Sequence, residues 1–126
     1  MVKKELQPIH HSPLTTHQLI NMIEVISIGS DNIVRLDALT NASSGASINN
    51  ATVTYTLKDS GGAVVLSNQT MTYVAASNGR YEGTIPQSTT STMAVNAQYT
   101  VEITATQGGL TLFRKLSCIA KYRGAL

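Results

Sequence analysis

The sequence predicts an all-β fold: an antiparallel β-sandwich of about seven strands, preceded by an extended N-terminal arm. Three observations carry this. From residue 21 onward apolar and polar residues alternate with a period of two, the mark of a strand with one wet face. Turn signals rich in Gly, Ser, Asn and Asp recur every 8–12 residues or so, the spacing of a sandwich. After residue 20 no stretch has the apolar period of a helix of three turns. The 126 residues divide into the arm, 1–20, and one domain, 21–126.

The arm "MVKKELQPIHHSPLTTHQLI" stands apart. Pro8 and Pro13 exclude a continuous helix or strand, and Pro13 suits only the first position of a short helical turn. Its apolar residues, Val2, Leu6, Ile9, Leu14 and Leu19, keep no regular period. Such a segment is too short to fold alone and is expected to be disordered or laid on a neighbour. Leu6, Ile9, Leu14 and Leu19 are the candidate anchors of a docking arm.

The domain reads as strand and turn throughout. "MIEVISI" (22–28) stops at Gly29-Ser30-Asp31-Asn32, and "IVRLDAL" (33–39) follows with Val34 and Leu36 on one face and Arg35 and Asp37 on the other. "TNASSGASINN" (40–50) is a loop by composition. "ATVTYTLKD" (51–59) is the cleanest strand, with Val53, Tyr55 and Leu57 inward. "SGG" (60–62) turns the chain into 63–74, which reads as two short strands or one bulged strand. After the turn "AASNG" (75–79), "RYEGTIP" (80–86) puts Tyr81, Gly83 and Ile85 in phase, and Pro86 ends it or marks an edge. The polar connection 87–97 is expected to be pinned to the core by Met93 and Val95. "QYTVEITAT" (98–106) aligns Tyr99, Val101, Ile103 and Ala105; "QGG" (107–109) turns; and 110–122 is a long strand with room for a bulge.

Charged residues make up 13% of the chain, about half the usual share of ~25%, and Thr, Ser and Asn supply the polarity instead. Between residues 22 and 113 six carboxylates face three cations, whereas Arg114, Lys115, Lys121 and Arg123 fall within ten residues with no carboxylate among them. A nucleic-acid binder would carry a denser basic face interleaved with aromatics. These four cations instead fit the solvated side of an edge strand, where charge also discourages aggregation. Arg114, Lys115, Lys121, Tyr122 and Arg123 are therefore candidate edge-strand contacts, since an open edge is the part most available to another chain.

The residues offer little catalytic chemistry. His10, His11 and His17 all lie in the arm, and neither adjacency nor spacing across Pro13 sets them up as metal ligands. Glu24, Glu82 and Glu102 fall on wet strand phases, and Asp31 and Asp59 sit in turns, where Asp caps backbone groups. There is no nucleophile elbow, phosphate loop or dinucleotide fingerprint. "GSDN" and "KDSGG" bring one carboxylate each, too few for a calcium cage. The single cysteine, Cys118, lies in an apolar-patterned strand and reads as a small core residue. No catalytic residue, metal ligand or cofactor is expected. The N-terminus lacks the apolar stretch of a signal peptide, and no apolar run is long enough for a membrane helix. The sequons at Asn41, Asn50 and Asn68 are read as products of composition.

Two resemblances add to this. A tyrosine opening the strand "YTVEITA" resembles the tyrosine corner of immunoglobulin-like and fibronectin type III-like sandwiches, which implies a structural role for Tyr99. There is no Cys…Trp…Cys set, so the antibody type is not implied. The ordered series of "ATVTYTLKDSGG", "GRYEGTIP" and "AQYTVEITATQGG", within residues 22–122, resembles the small Ig-like structural proteins of tailed-bacteriophage virions. That implies a non-enzymatic subunit of capsid surface, head–tail junction or tail, assembled in the host cytoplasm into multi-copy, symmetric contact with capsid, portal-associated or tail proteins. It implies no nucleic-acid or membrane partner. The alternative is an Ig-like binding module of a bacterial surface or adhesion protein, recognising carbohydrate or protein through loops 40–50 and 87–97. The absence of a leader and the start at Met1 favour the virion reading, and the scarcity of aromatics in those loops disfavours sugar stacking.

Overall fold

The structure is a computed structural model that describes residues 14–15 and 25–123. Leu6, Ile9, Leu19, the three histidines, Glu24 and residues 22–24 of the first expected strand lie outside the described residues.

The described residues form nine strands and one helical turn. They are β1 (Leu14–Thr15), β2 (Val25–Ser27), β3 (Asn32–Leu36), β4 (Thr40–Asn41), β5 (Thr52–Asp59), β6 (Val64–Tyr73), β7 (Tyr81–Ile85), α1 (Gln87–Thr90), β8 (Gln98–Gln107) and β9 (Leu110–Lys121). Seven strands make one sheet in the order β2-β9-β8-β5-β6-β7-β3, and β1 pairs with β4 in a two-stranded ribbon. All-β is therefore the class.

The order dictates the shape. β2 and β3 are consecutive in the chain, joined by only four residues, yet they stand at opposite ends of the strand order. The sheet must curl until its two ends meet, and it is nearly closed. β6 makes the bend: its first part pairs with β5, and only Thr72 and Tyr73 reach β7. The β5–β6 register shifts near Leu57, and Asn68, at φ +48°, stands in the shifted stretch with its N–H held by Thr56 Oγ1 (3.1 Å). A bulge of this kind increases local twist and bends its strand. Residues 63–74 thus resolve into one bulged strand.

Alternation fills the interior. Val53, Tyr55 and Leu57 of β5 lie between Met71 of β6 and Val101, Ile103 and Ala105 of β8, and all are buried. Val34, Leu36, Tyr81 and Ile85 cover them from the other end of the sheet, with Leu116, Cys118 and Ala120 of β9 completing the cluster. Each fully buried side chain of this size contributes about 1.5–3 kcal/mol before ordering costs. Two tyrosine hydroxyls cross the interior to reach backbone. Tyr55 Oη donates to the Thr84 carbonyl, and Tyr81 Oη donates to the Ile48 carbonyl (2.7 Å) while accepting from the Ala51 N–H (3.0 Å).

Four expectations need correction. The strand expected over 33–39 ends at Leu36, because Ala38 turns to φ +55° and the Leu39 N–H pairs with the Gly79 carbonyl (3.0 Å). The expected loop 40–50 contains β4 and an isolated bridge, Thr40 to Ser47. In 87–97 Met93 is buried but Val95 is exposed, since the chain is held there by the turn of α1 instead. β9 carries no bulge: its ten pairs with β8 run unbroken from Gln98–Ile119 to Gln107–Leu110, closed by Gly108-Gly109. Both glycines have positive φ, +59° and +87°, as a two-residue hairpin of this twist demands.

Candidate docking edge

β9 positions most of the residues singled out for contact. Leu110–Cys118 pairs with β8 on one side; on the other side β2 joins at Ile119–Lys121, and β1 also comes close to β9. Lys121 lies where β2 joins, and its carbonyl accepts the Ile28 N–H (2.8 Å). Tyr122 and Arg123 follow, both exposed.

The strand's two faces differ sharply. Leu112, Arg114, Leu116, Cys118 and Ala120 share the inward phase, and Phe113, Lys115, Ser117 and Lys121 the outward one. Arg114 is only half-exposed, and burial pulls its pKa below the ordinary arginine value. It is thus set apart from Lys115 and Lys121, which are exposed. Phe113, the only phenylalanine of the chain, is 56% exposed beside Lys115. Exposed aromatic rings are enriched at contact surfaces, and charged residues such as lysine sit at their rims. Sequence reading had grouped the basic residues and passed over Phe113; its odd number, out of step with Leu112 and Leu116, was the signal.

Among the described residues the arm pairs with the 40–50 segment and also comes close to β9. Leu14 pairs with Asn41 and Thr15 with Thr40, antiparallel. The end of the arm thus adds a short strand to the 40–50 segment of the same chain.

Tyr99 opens β8, opposite Asp59 and Cys118. It is half-buried, and no hydrogen bond of its hydroxyl occurs among the described residues; the hydroxyls that tie backbone are those of Tyr55 and Tyr81. A groove of about 460 Å³ runs past Tyr99, lined also by Ser60, Gln98, Thr100, Ser117, Cys118 and Ile119. Its described lining supplies hydroxyls and an amide beside the buried Cys118 thiol.

The carboxylates serve structure. Arg35 pairs with Glu82 directly across β3 and β7 (3.2 Å), Lys58 with Glu102 across β5 and β8 (3.1 Å), and Arg80 with Asp37 (2.6 Å). Asp59 Oδ1 accepts the N–H groups of Gly61 and Ala63, closing the β5–β6 turn. Asp31 Oδ1 reaches farther than a local cap and accepts the Gln87 N–H at the start of α1 (2.7 Å). Among the described residues no group of three or more His, Cys, Asp or Glu is placed to hold a metal ion, and no helix is long and apolar enough to cross a membrane.

Comparison of the chain with family models, with curated proteins and with solved structures gave no match.

Proposed function

We propose that this chain is an Ig-like structural subunit of a tailed-phage virion, with no catalytic role, which docks on capsid, head–tail or tail proteins through its arm and its sheet edges. The observation that carries the reading is the outward face of β9, on which Phe113 is exposed beside Lys115, with exposed Lys121, Tyr122 and Arg123 following. An exposed ring among cations offers another protein an apolar anchor within a charged rim. The basic edge suits an acidic partner surface, and charge of one sign steers and selects it. Many weak contacts of this type, repeated by symmetry, hold an assembly.

The topology supports the Ig-like reading. The order β9-β8-β5 corresponds to a G-F-C sheet and β3-β7 with the end of β6 to B-E-D, the first strand crossing from one to the other between β2 and β3. The sequence motifs that resemble phage Ig-like proteins occupy β5, β7 and β8 of this frame. The β1–β4 pairing supports an arm able to pair through its backbone.

The test is to add purified chain to phage particles assembled without it and sediment them. Co-sedimentation in fixed stoichiometry is expected. Failure to bind particles, with tight loop-dependent binding on a glycan array, would overturn the reading in favour of an adhesion module.

A further inference from the structure

The turn from β6 into β7 places three of four residues in the left-handed region: Ala76 (φ +61°), Asn78 (φ +58°) and Gly79 (φ +96°). Asparagine and glycine take up this region more readily than other residues, so the pair at 78–79 suits the turn. Backbone bonds tie the turn down on either side of that pair. The Val74 N–H donates to the Arg80 carbonyl (2.9 Å), the Arg80 N–H to Ser77 Oγ (3.1 Å), and the Leu39 N–H to the Gly79 carbonyl (3.0 Å). The peptide unit between Asn78 and Gly79 is different. Neither its C=O nor its N–H makes a hydrogen bond among the described residues, and the exposed Asn78 carboxamide makes none either.

We propose that Asn78 is a site of spontaneous deamidation, and that the modification unlatches this turn. The Gly79 nitrogen gives up its proton and attacks Asn78 Cγ; ammonia leaves, and a five-membered succinimide closes. Water, the one co-reactant, then adds to either ring carbonyl. Opening on one side leaves aspartate. Opening on the other leaves isoaspartate, in which the main chain runs through the side-chain carbon. Ring closure swings the 78–79 peptide unit about the Asn78 Cα–C bond, a rotation that breaks no hydrogen bond in this turn. Glycine has no side chain to shield the attacking nitrogen.

The other described asparagines lack this combination, and Asn78-Gly79 is the one Asn-Gly pair of the chain. Asn50 precedes Ala51, whose N–H is held by Tyr81 Oη (3.0 Å), and Asn96 precedes Ala97, whose N–H is held by the Ala94 carbonyl (3.1 Å). The Asn32 carboxamide is engaged by Ser27 and Ser30, and Asn41 Oδ1 accepts the Ser43 and Ser44 N–H groups. Asn49 and Asn68 are each followed by a larger side chain, Asn50 and Gln69.

The consequence follows from where Gly79 sits. It is buried so closely against residues 38–39 that an added Cβ would fall 2.6 Å from the Leu39 carbonyl oxygen. Isoaspartate inserts one methylene into the main chain immediately before this seat, which pulls the Gly79 carbonyl off the Leu39 N–H. The Leu39 carbonyl in turn accepts the Ile48 N–H (2.8 Å), so the loss reaches the 40–50 segment. The new carboxylate also adjoins Arg80, the partner of Asp37, and competes for it. None of this depends on the virion reading.

Ageing the full chain at mildly alkaline pH, followed by peptide mapping with fragmentation that tells aspartate from isoaspartate, tests the proposal. The mass gain of an amide-to-acid exchange is expected to concentrate at Asn78, mainly as isoaspartate, on the time scale shown by a free peptide of residues 75–81. Asn78→Gly keeps the left-handed backbone without the amide; it is expected to show no gain at this turn and the circular dichroism of the wild type. The aged chain is expected to melt below the fresh one, whereas Asn78→Asp, which adds the charge without the methylene, stays closer to the fresh chain. The proposal is overturned by a folded chain that keeps its Asn78 amide while the peptide converts, by conversion only in urea, by a gain spread evenly over the asparagines, or by a chain carrying isoaspartate at 78 that melts like the fresh one.

Discussion

The side chain of Asn32 holds both backbone polar groups of Ser27. The Ser27 N–H donates to Asn32 Oδ1 (2.9 Å), and Asn32 Nδ2 donates to the Ser27 carbonyl (3.0 Å). β2 pairs with β9 through Ile26 and Ile28, so the N–H and C=O of Ser27 face away from that strand, toward the gap between the two ends of the sheet. One amide side chain stands in for a missing neighbour strand. Asn32 Nδ2 also reaches the Ser30 carbonyl, and buried Thr90 receives the Gly29 N–H and donates to Ser30, locking the turn against α1.

Replacing Asn32 by Ala leaves two buried backbone groups of Ser27 unsatisfied. The expected cost is about 2–4 kcal/mol, read as a lower urea midpoint at unchanged m-value. Asn32→Asp is expected to cost at least as much, because it keeps the acceptor but removes both donors and buries a charge. Thr90→Val, which keeps shape and loses the hydroxyl, is expected to cost about 1–2 kcal/mol.

The alternation of β5, β7 and β8 was legible because each has one wet face, and Gly108-Gly109 announced its hairpin. Which strands become neighbours was not legible. The parallel β2–β9 pair and the placing of β2 and β3 at opposite ends depend on contacts ninety residues apart, to which local pattern is blind. Asn32 was read as part of a turn, yet it is in phase with inward Val34 and Leu36; a polar amide on a core phase was the available sign. The candidate contact residues were legible as charge, but the division of Arg114 from Lys115 follows from strand phase together with burial.

Alkaline pH is expected to unfold the protein through its interior tyrosines. Burial pushes the Tyr55 phenol up to about 12 from its ordinary 10.0, and burial is also the main cause that raises Tyr81. The folded state favours the neutral phenol, so this stabilisation is whole below pH 10 and is lost as the pH climbs through about 12. For Tyr55 the loss amounts to roughly 2–3 kcal/mol. Tyr55→Phe is expected to flatten the fall in stability between these pH values, while lowering stability at neutral pH by the lost bond to Thr84. Urea titrations at several pH values check both effects.

Gly79→Ala is expected to destabilise more than an ordinary surface change. Gly79 sits at φ +96°, and an added Cβ would fall 2.6 Å from the Leu39 carbonyl oxygen, which is backbone and cannot swing away. A cost of about 1–3 kcal/mol is expected, from strain and displacement together. Thermal unfolding reads it.

The ion pairs are expected to be unequal. Arg35 and Glu82 are both partly exposed, and Arg35→Ala should change stability by about 0–1 kcal/mol. The Asp37 side chain is only 9% exposed, so Arg80→Ala removes a partner from a nearly buried carboxylate and is expected to cost more than Arg35→Ala. Parallel urea titrations of the two variants compare them.

On β9, Phe113→Asp and Lys115→Glu reverse the character of an exposed edge without touching the core. Both variants are expected to keep wild-type thermal stability within about 0.5 kcal/mol and to lose most co-sedimentation with phage particles. Binding as tight as wild type would move the docking site elsewhere.

Mass spectrometry of purified phage particles, from cells in which this chain is expressed from its own locus, tests the central claim most directly. The account predicts the chain in the particles at a fixed multi-copy ratio to the major capsid or tail protein, retained through gradient purification. Particles complete and infectious without it, with the chain found only elsewhere in the culture, would contradict the account.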